Sequence, residues 1–214
     1  MTGGRSPDAQ SVRIDACADD ALLMTFAEEA GEGATERVIS AWRALQALQA
    51  PWLVRSQPAY TTLQVVLRAG TDLSAVQRVL RALPTSGGLL QARTLELPVC
   101  YDGPDLGDVA DHAGLVVDDV VRLHTDRPYR CAFVGFLPGF PYLLGLDAAL
   151  HTPRLTTPRT SVPAGSVGIG GAQTGVYPTP SPGGWRLLGR TLQPLGPGWI
   201  EAGDVVIFRA VGSR

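Results

Sequence analysis

Between Gly135 and Gly203 the chain carries 14 glycines and 10 prolines in 69 residues. Proline is excluded from helix interiors and central strands, and glycine weakens both. That segment is therefore predicted to fold as short strands joined by many turns. The other residues hold only 11 glycines and 7 prolines, so regular helices are open to them. Two differently built parts follow, over residues 1–98 and 99–214. A chain of 214 residues buries roughly 70% of its unfolded surface and needs no disulfide or metal to hold it.

The first part alternates in period. Leu22, Met24 and Phe26 share one face of a strand over Ala21–Ala27. Thr35 is placed to cap a helix carrying Val38, Trp42, Leu45 and Leu48 at helical spacing. Trp52–Arg55 and Thr61–Arg68 read as strands. Asp72 caps a second helix with Leu73, Val76, Val79, Leu80 and Leu83, which Pro84 and Gly87-Gly88 end. A strand over Leu89–Val99 completes a β-α-β-β-α-β order, the pattern of a ferredoxin-like sandwich. The fold class is thus α+β. The second part opens with helices over Asp105–His112 and Val117–His124, then breaks into apolar runs at 130–134, 165–169, 185–188 and 204–208. These predict a small β-barrel or sandwich.

Composition narrows the chemistry. The 18 basic residues are all arginine, against 20 acidic ones. This excludes a lysine Schiff base, a lysine general base and the phosphate-loop lysine. A balanced charge argues against nucleic-acid binding, and no apolar run approaches the ~20 residues of a membrane span. Met1–Gln10 lacks the basic-then-apolar order of a signal peptide. Cys17, Cys100 and Cys131 form no CxxC pair. Three reduced thiols and a cytoplasmic location are expected. Three scattered histidines without clustered cysteines argue against a metal site.

Two features stand out as candidate chemistry. Val117, Val120, Val121 and His124 fall on one helical face. A histidine there either bonds the last carbonyls of its helix or serves as an acid–base group. The other feature is the loop-rich stretch from Gly135 to Thr191. It strings Phe136, Phe140 and Tyr142, then Arg154, Arg159, Gly165, Gln173, Trp185 and Arg190 between glycines and prolines. Arginine offers planar forks for carboxylate or phosphate, and Gln173 can both donate and accept hydrogen bonds, as an amide ligand requires. Turn chemistry with solvated arginines explains the same residues equally simply. Gly168-Ile169-Gly170-Gly171 is not a GxGxxG phosphate loop, because the sixth position is Gln173.

The run GFLPGFPYLLGLD, the run PRLTTPRTSVPAGSVGIGGAQTGVYPTPSPGGWRLLGRT and the preceding PDLGDVADHAGLVVDDVVRLHT closely resemble the family of 5-oxoprolinase B subunits. That family is also labelled allophanate hydrolase subunit 1, KipI-type kinase inhibitor or C-type carboxyltransferase domain. The likeness extends over about residues 11–210. It departs at Leu192–Pro197, where the family has a Leu-Phe-Asp motif, and at Tyr101-Asp102-Gly103, where a longer glycine-rich segment is trimmed.

The resemblance implies an N-terminal α/β domain and a C-terminal cyclophilin-like β-barrel. It implies one component of an ATP-dependent hydrolase complex that opens the lactam 5-oxoproline to glutamate. The chain would work with a homologous partner, the C subunit of that complex, and with a third component. ATP with magnesium is implied as cofactor, held by this chain or by the partner. In that chemistry His124, Arg159 and Gln173 are expected as catalytic residues, and Arg154, Tyr142 and Gly165 as substrate contacts. The alternatives are a KipI-type inhibitor of a sensor histidine kinase and a component of an enzyme acting on allophanate or urea derivatives.

Overall fold

The computed structural model describes residues 11–86, 92–196 and 198–212. The expectations for Met1–Gln10, for Gly87-Gly88 and for the start of the 89–99 strand lie outside the described residues. Contacts divide the chain into two compact units between Leu90 and Gln91.

The first unit holds strands β1 (Arg13–Ala18), β2 (Ala21–Thr25), β3 (Leu53–Pro58) and β4 (Thr62–Leu67), with helices α1 (Glu32–Ala47) and α2 (Leu73–Arg81). The strands form one antiparallel sheet in the order β1-β2-β4-β3. Leu22, Met24 and Phe26 meet Leu63, Val65 and Leu67 on one face, against Val38, Ala41 and Leu45 of α1 and Val76 and Leu80 of α2. All of these but Ala41 are positions that the periodicity marks, whereas Leu48 and Val79, which it also marks, are exposed. Asp72 caps α2 as expected, its Oδ1 accepting from the N–H groups of Ser74 (2.9 Å) and Ala75 (3.3 Å).

Three expectations are corrected in this unit. Helix α1 begins earlier, with Gly31 at the cap. Thr35 lies within its first turns and donates to the Tyr60 carbonyl at 3.1 Å. The sheet gains β1, which periodicity does not reveal because only Ile14 of its six residues is buried. The final strand of the expected ferredoxin-like order joins the second unit instead, and β1 takes the edge beside β2.

That strand is β5 (Thr94–Val99). It runs parallel to β13 (Val205–Ala210), from Thr94 opposite Val205 to Val99 opposite Ala210. Asp204, buried at the start of β13, accepts from the Arg93 N–H (3.1 Å) and from Arg93 Nε (3.0 Å). Through this pairing residues 94–98 pack with the second unit, whereas element order suggests a division at 98/99.

The second unit continues with α3 (Leu106–Ala113), α4 (Val117–Thr125), β6 (Pro128–Val134), β7 (Pro141–Leu144), β8 (Arg159–Val162), β9 (Ser166–Gly170), β10 (Gln173–Val176), β11 (Ser181–Gly183) and β12 (Arg186–Arg190). Seven strands form a sheet in the order β12-β9-β10-β7-β6-β13-β5, and β11 pairs separately with β8. Cys100 and Arg190 exchange both backbone hydrogen bonds at 2.9 Å, so the sheet nearly closes on itself. This fits the barrel the resemblance implies. Leu97, Val99, Cys131, Leu143, Ile169, Val206 and Phe208 fill the interior with Val109 and Val120 from the two helices.

Candidate functional site

A second, smaller apolar cluster lies beside the barrel core. Phe140, Val162, Tyr177, Trp185 and Leu187 are buried together, with Leu137 and Tyr142 packed against them. The glycines of this region explain its form. A Cβ on Gly170 would stand 2.6 Å from the Trp185 indole, and one on Gly175 would stand 3.0 Å from it. The bare backbones of β9 and β10 thus form a shelf on which the indole lies. A Cβ on Gly183 would collide with the Tyr177 hydroxyl. Glycine here makes room for aromatic rings, and the Gly168–Gly171 run is a buried strand leading into a tight turn.

Above this floor opens a pocket of about 270 Å³, near the lower limit for small-molecule sites. Its walls are Phe136, Phe140, Tyr142, Tyr177 and Trp185, with Arg154, Pro158 and Pro182 at the sides. The rings meet edge to face: Phe140 with Trp185 at 5.3 Å, Phe140 with Tyr177 at 5.0 Å and Tyr142 with Trp185 at 5.8 Å. Tyr142 also stacks on Phe133 at 4.4 Å. The Arg154 guanidinium stands over Trp185 at 5.7 Å, a cation–π contact of about 0.5–1 kcal/mol at an exposed site. It forms no ion pair among the described residues. Burial pushes the Tyr177 phenol above its ordinary value, so it stays a neutral hydroxyl. The result is an apolar, ring-sized recess with one positive group at its side.

Of the expected site residues, the structure brings Arg154 and Tyr142 together here and sets the other four apart. Arg159 donates to Asp105 at 2.6 Å and to the Trp185 carbonyl at 3.3 Å. Asp105 is almost wholly buried and also accepts from the Leu187 N–H at 2.6 Å. The Arg159 charge is thereby answered within the fold, joining β8, β12 and the start of α3. Arg190 likewise meets Asp102 at 3.3 Å, and Arg186 meets Asp108 at 2.8 Å. Asp102, Asp105 and Asp108 recur every third residue, and each takes one arginine.

Gly165 is buried at a positive φ of 81°. Its N–H donates to the Tyr177 carbonyl (2.7 Å), its own carbonyl accepts from Thr191 (2.9 Å), and a Cβ would collide with the Thr191 carbonyl oxygen. Gly165 therefore serves a backbone crossing rather than a ligand. Gln173 starts β10 opposite Gly170 and is half-buried outside the pocket.

His124 lies wholly inside the barrel. Its Nδ1 is 2.7 Å from the Tyr101 hydroxyl and its Nε2 is 2.9 Å from Thr174 Oγ1. The Thr174 hydroxyl donates to the Gly168 carbonyl at 3.0 Å, so it accepts from His124 Nε2–H. Tyr101 then donates to Nδ1, and the ring is neutral with both nitrogens satisfied. Phe208 stacks on it at 4.6 Å, and burial lowers its pKa to about 3. The imidazole does not bond its own helix carbonyls; its nitrogens face Tyr101 and Thr174 in the barrel interior.

The residues that build the recess are mostly aromatic. Sequence reasoning looks for polar chemistry and gives Phe136, Phe140, Tyr177 and Trp185 no role, although the density of rings between glycines and prolines is the available signal. Among the described residues no group of three or more His, Cys, Asp or Glu could hold a metal ion. No helix among them is long and apolar enough to cross a membrane.

Comparison with known proteins adds an independent line. Residues 12–197 match the family model described as carboxyltransferase domain, subdomain C and D. The chain is 48% identical over 180 residues to the B subunit of 5-oxoprolinase from Escherichia coli O157:H7, covering 78% of this chain and 83% of that protein. It is 35% identical over 227 residues to the B subunit of 5-oxoprolinase from Bacillus subtilis (strain 168), covering 94% of each. The crystal structure of TTHA0988 superposes with a TM-score of 0.83 at 37% identity, over 91% of this chain. The chain spans only 40% of that protein's length. The urea amidolyase of K. lactis superposes with a TM-score of 0.74 over 97% of this chain and 15% of that one, at 19% identity, a likeness of fold.

Proposed function

Because the chain belongs to the carboxyltransferase domain, subdomain C and D, family, we propose that it is the B subunit of a 5-oxoprolinase complex, in which ATP-dependent opening of the 5-oxoproline ring yields glutamate. The names of its curated relatives support this reading. The observation that carries the pocket's part in it is Arg154 over Trp185 at the side of an aromatic recess. A small lactam carboxylate presents one negative group and a compact, flattened ring whose methylene faces are apolar beside its polar amide. Arg154 suits the first by a charge-assisted hydrogen bond, and the Tyr142, Phe140 and Trp185 rings suit the second.

The same residues do not fit a nucleotide. A recess of about 270 Å³ with one unanswered guanidinium is too small and too weakly charged for a triphosphate, and Arg159 and Arg190 are already paired with aspartates. On this reading the recess takes the lactam, and ATP with magnesium binds outside it, on this chain or on a partner subunit. The chain then binds and orients the lactam. On the same reading His124 and Arg159 hold the fold, the first between Tyr101 and Thr174 and the second against Asp105. A cytoplasmic location is part of the same reading, in keeping with the free thiols of Cys17, Cys100 and Cys131.

The test is glutamate release from 5-oxoproline with ATP. It is run with this chain alone, with its homologous partner, and with the third component added. Turnover is expected only in the complete mixture, and Arg154→Met should raise KM for 5-oxoproline at least tenfold, the loss of one charge-assisted contact. Unchanged KM in R154M would remove the pocket from the reaction. No turnover of 5-oxoproline with the subunits associated would favour an allophanate or urea derivative. Failure to associate, with inhibition of a sensor histidine kinase instead, would favour the inhibitor role.

A further inference from the structure

The loop between β6 and β7 holds a conformation that its residue opposes. Phe136 has φ +66°, where a bulky side chain is an outlier. The N–H of Leu137 donates to the Gly135 carbonyl at 2.7 Å, closing a three-residue γ-turn of the rare, strained hand around Phe136. The loop is tied in three further places. Gly135 N–H donates to the Phe140 carbonyl at 3.0 Å, Phe140 N–H donates to the Leu137 carbonyl at 3.0 Å, and Trp199 Nε1–H donates to the Gly139 carbonyl at 2.7 Å. Strain of this kind persists only where its surroundings over-determine it.

The side chain does not repay the strain by packing. Phe136 is 61% exposed, with one edge-to-face contact to Phe140 at 5.6 Å. Yet it lines the aromatic recess. An apolar ring held out of the core, in a backbone that glycine would adopt freely, is built for something that arrives from solvent.

Resting on the reading of the recess as the lactam site, we infer that Phe136 is its specificity-determining residue: the γ-turn holds the ring at the recess so that a flat ligand is gripped between Phe136 and the Tyr142–Trp185 floor. A planar five-membered lactam offers two faces to such a clamp. An open-chain dicarboxylate such as glutamate offers none, although Arg154 can hold its carboxylate equally well. Phe136 therefore separates the ring from its opened product by shape, and Arg154 does not.

The experiment uses the assembled complex. KM and kcat for 5-oxoproline and the inhibition constant of glutamate are measured for the native protein, F136G, F136A, F136Y and R154M, with the Tm of each chain alone. For F136G and F136A, KM for the lactam should rise about three- to tenfold, the loss of an aromatic contact. Inhibition by glutamate should move less than twofold, and F136Y should restore KM. F136G should melt at or above the native Tm and above F136A, because glycine relieves the turn.

An unchanged KM in F136G with a raised KM in R154M would overturn the clamp and leave the lactam site standing. Unchanged KM in both, or no use of 5-oxoproline by the assembled complex, would overturn both. Equal weakening of lactam and glutamate would show a general contact and sink the shape selection. An F136G chain melting below F136A would show that the turn carries no strain, and the clamp would lose its physical basis.

Discussion

The indole of Trp185 occupies the place where any side chain on Gly170 would have to stand, 2.6 Å from an ideal Cβ. The floor of the recess therefore depends on an absent methyl group. Gly170→Ala should tilt the indole or displace β9. Overpacking of this kind costs ~1–3 kcal/mol, against ~0.4–1 kcal/mol regained by stiffening the unfolded chain, so net destabilisation is expected. Urea unfolding measures the loss, and near-UV circular dichroism reports the indole. A variant with native stability and an unaltered aromatic spectrum would show that the shelf is not tight.

The Arg159–Asp105 pair should behave as a structural joint. Asp105→Ala leaves the Arg159 charge and the Leu187 N–H without their acceptor. Breaking a buried pair costs ~3–5 kcal/mol. The lower end is expected here because a quarter of the Arg159 side chain reaches solvent. Asp105→Asn, which can still accept from Leu187, should lose less. The urea midpoints of the two variants order these losses. If Arg159→Met abolished turnover with no loss of stability, a direct role in the reaction would be the better account.

His124 links the fold to pH. Its native pKa, lowered to about 3 by burial, lies below the unfolded value near 6.5. Above about pH 6.5 the ring is neutral in both states, and its stabilising contribution is complete. As pH falls from there toward 3, only the unfolded chain takes up the proton, and stability declines by roughly 1.4 kcal/mol per unit from this group. His124→Gln should show a shallower decline between pH 4 and 6 in denaturant titrations. Equal slopes would show that the imidazole titrates freely in the native protein. A limb of the pH–rate profile that vanished in H124Q would return His124 to the chemistry.

Much of this architecture is legible from spacing alone. Leu22, Met24 and Phe26 alternate, Val76 and Leu80 repeat at helical intervals, and each set is buried as its period requires. Asp72 announces its helix. The same reasoning misses β1, an edge strand with one buried residue. It also cannot allot β5, because strand order in sequence does not say which sheet a strand joins. Only the parallel match of Thr94–Val99 to Val205–Ala210 decides that.

The site divides along the same line. Residue type determined the kinds of group on offer: arginines without lysine, rings set between glycines and prolines, and a histidine on an apolar helical face. Local chemistry and periodicity are properties of neighbouring residues, so the amino-acid order states them directly. Which arginine of the Gly135–Thr191 stretch remained unanswered depended on contacts between residues far apart in the chain. Asp105 reaches across 54 positions to take Arg159, Thr174 crosses 50 to hold His124 in the barrel, and Arg154 is left over Trp185 without an acidic partner among the described residues. Tertiary structure alone made those pairings, because a charge is spent or kept according to what the fold brings within hydrogen-bond reach.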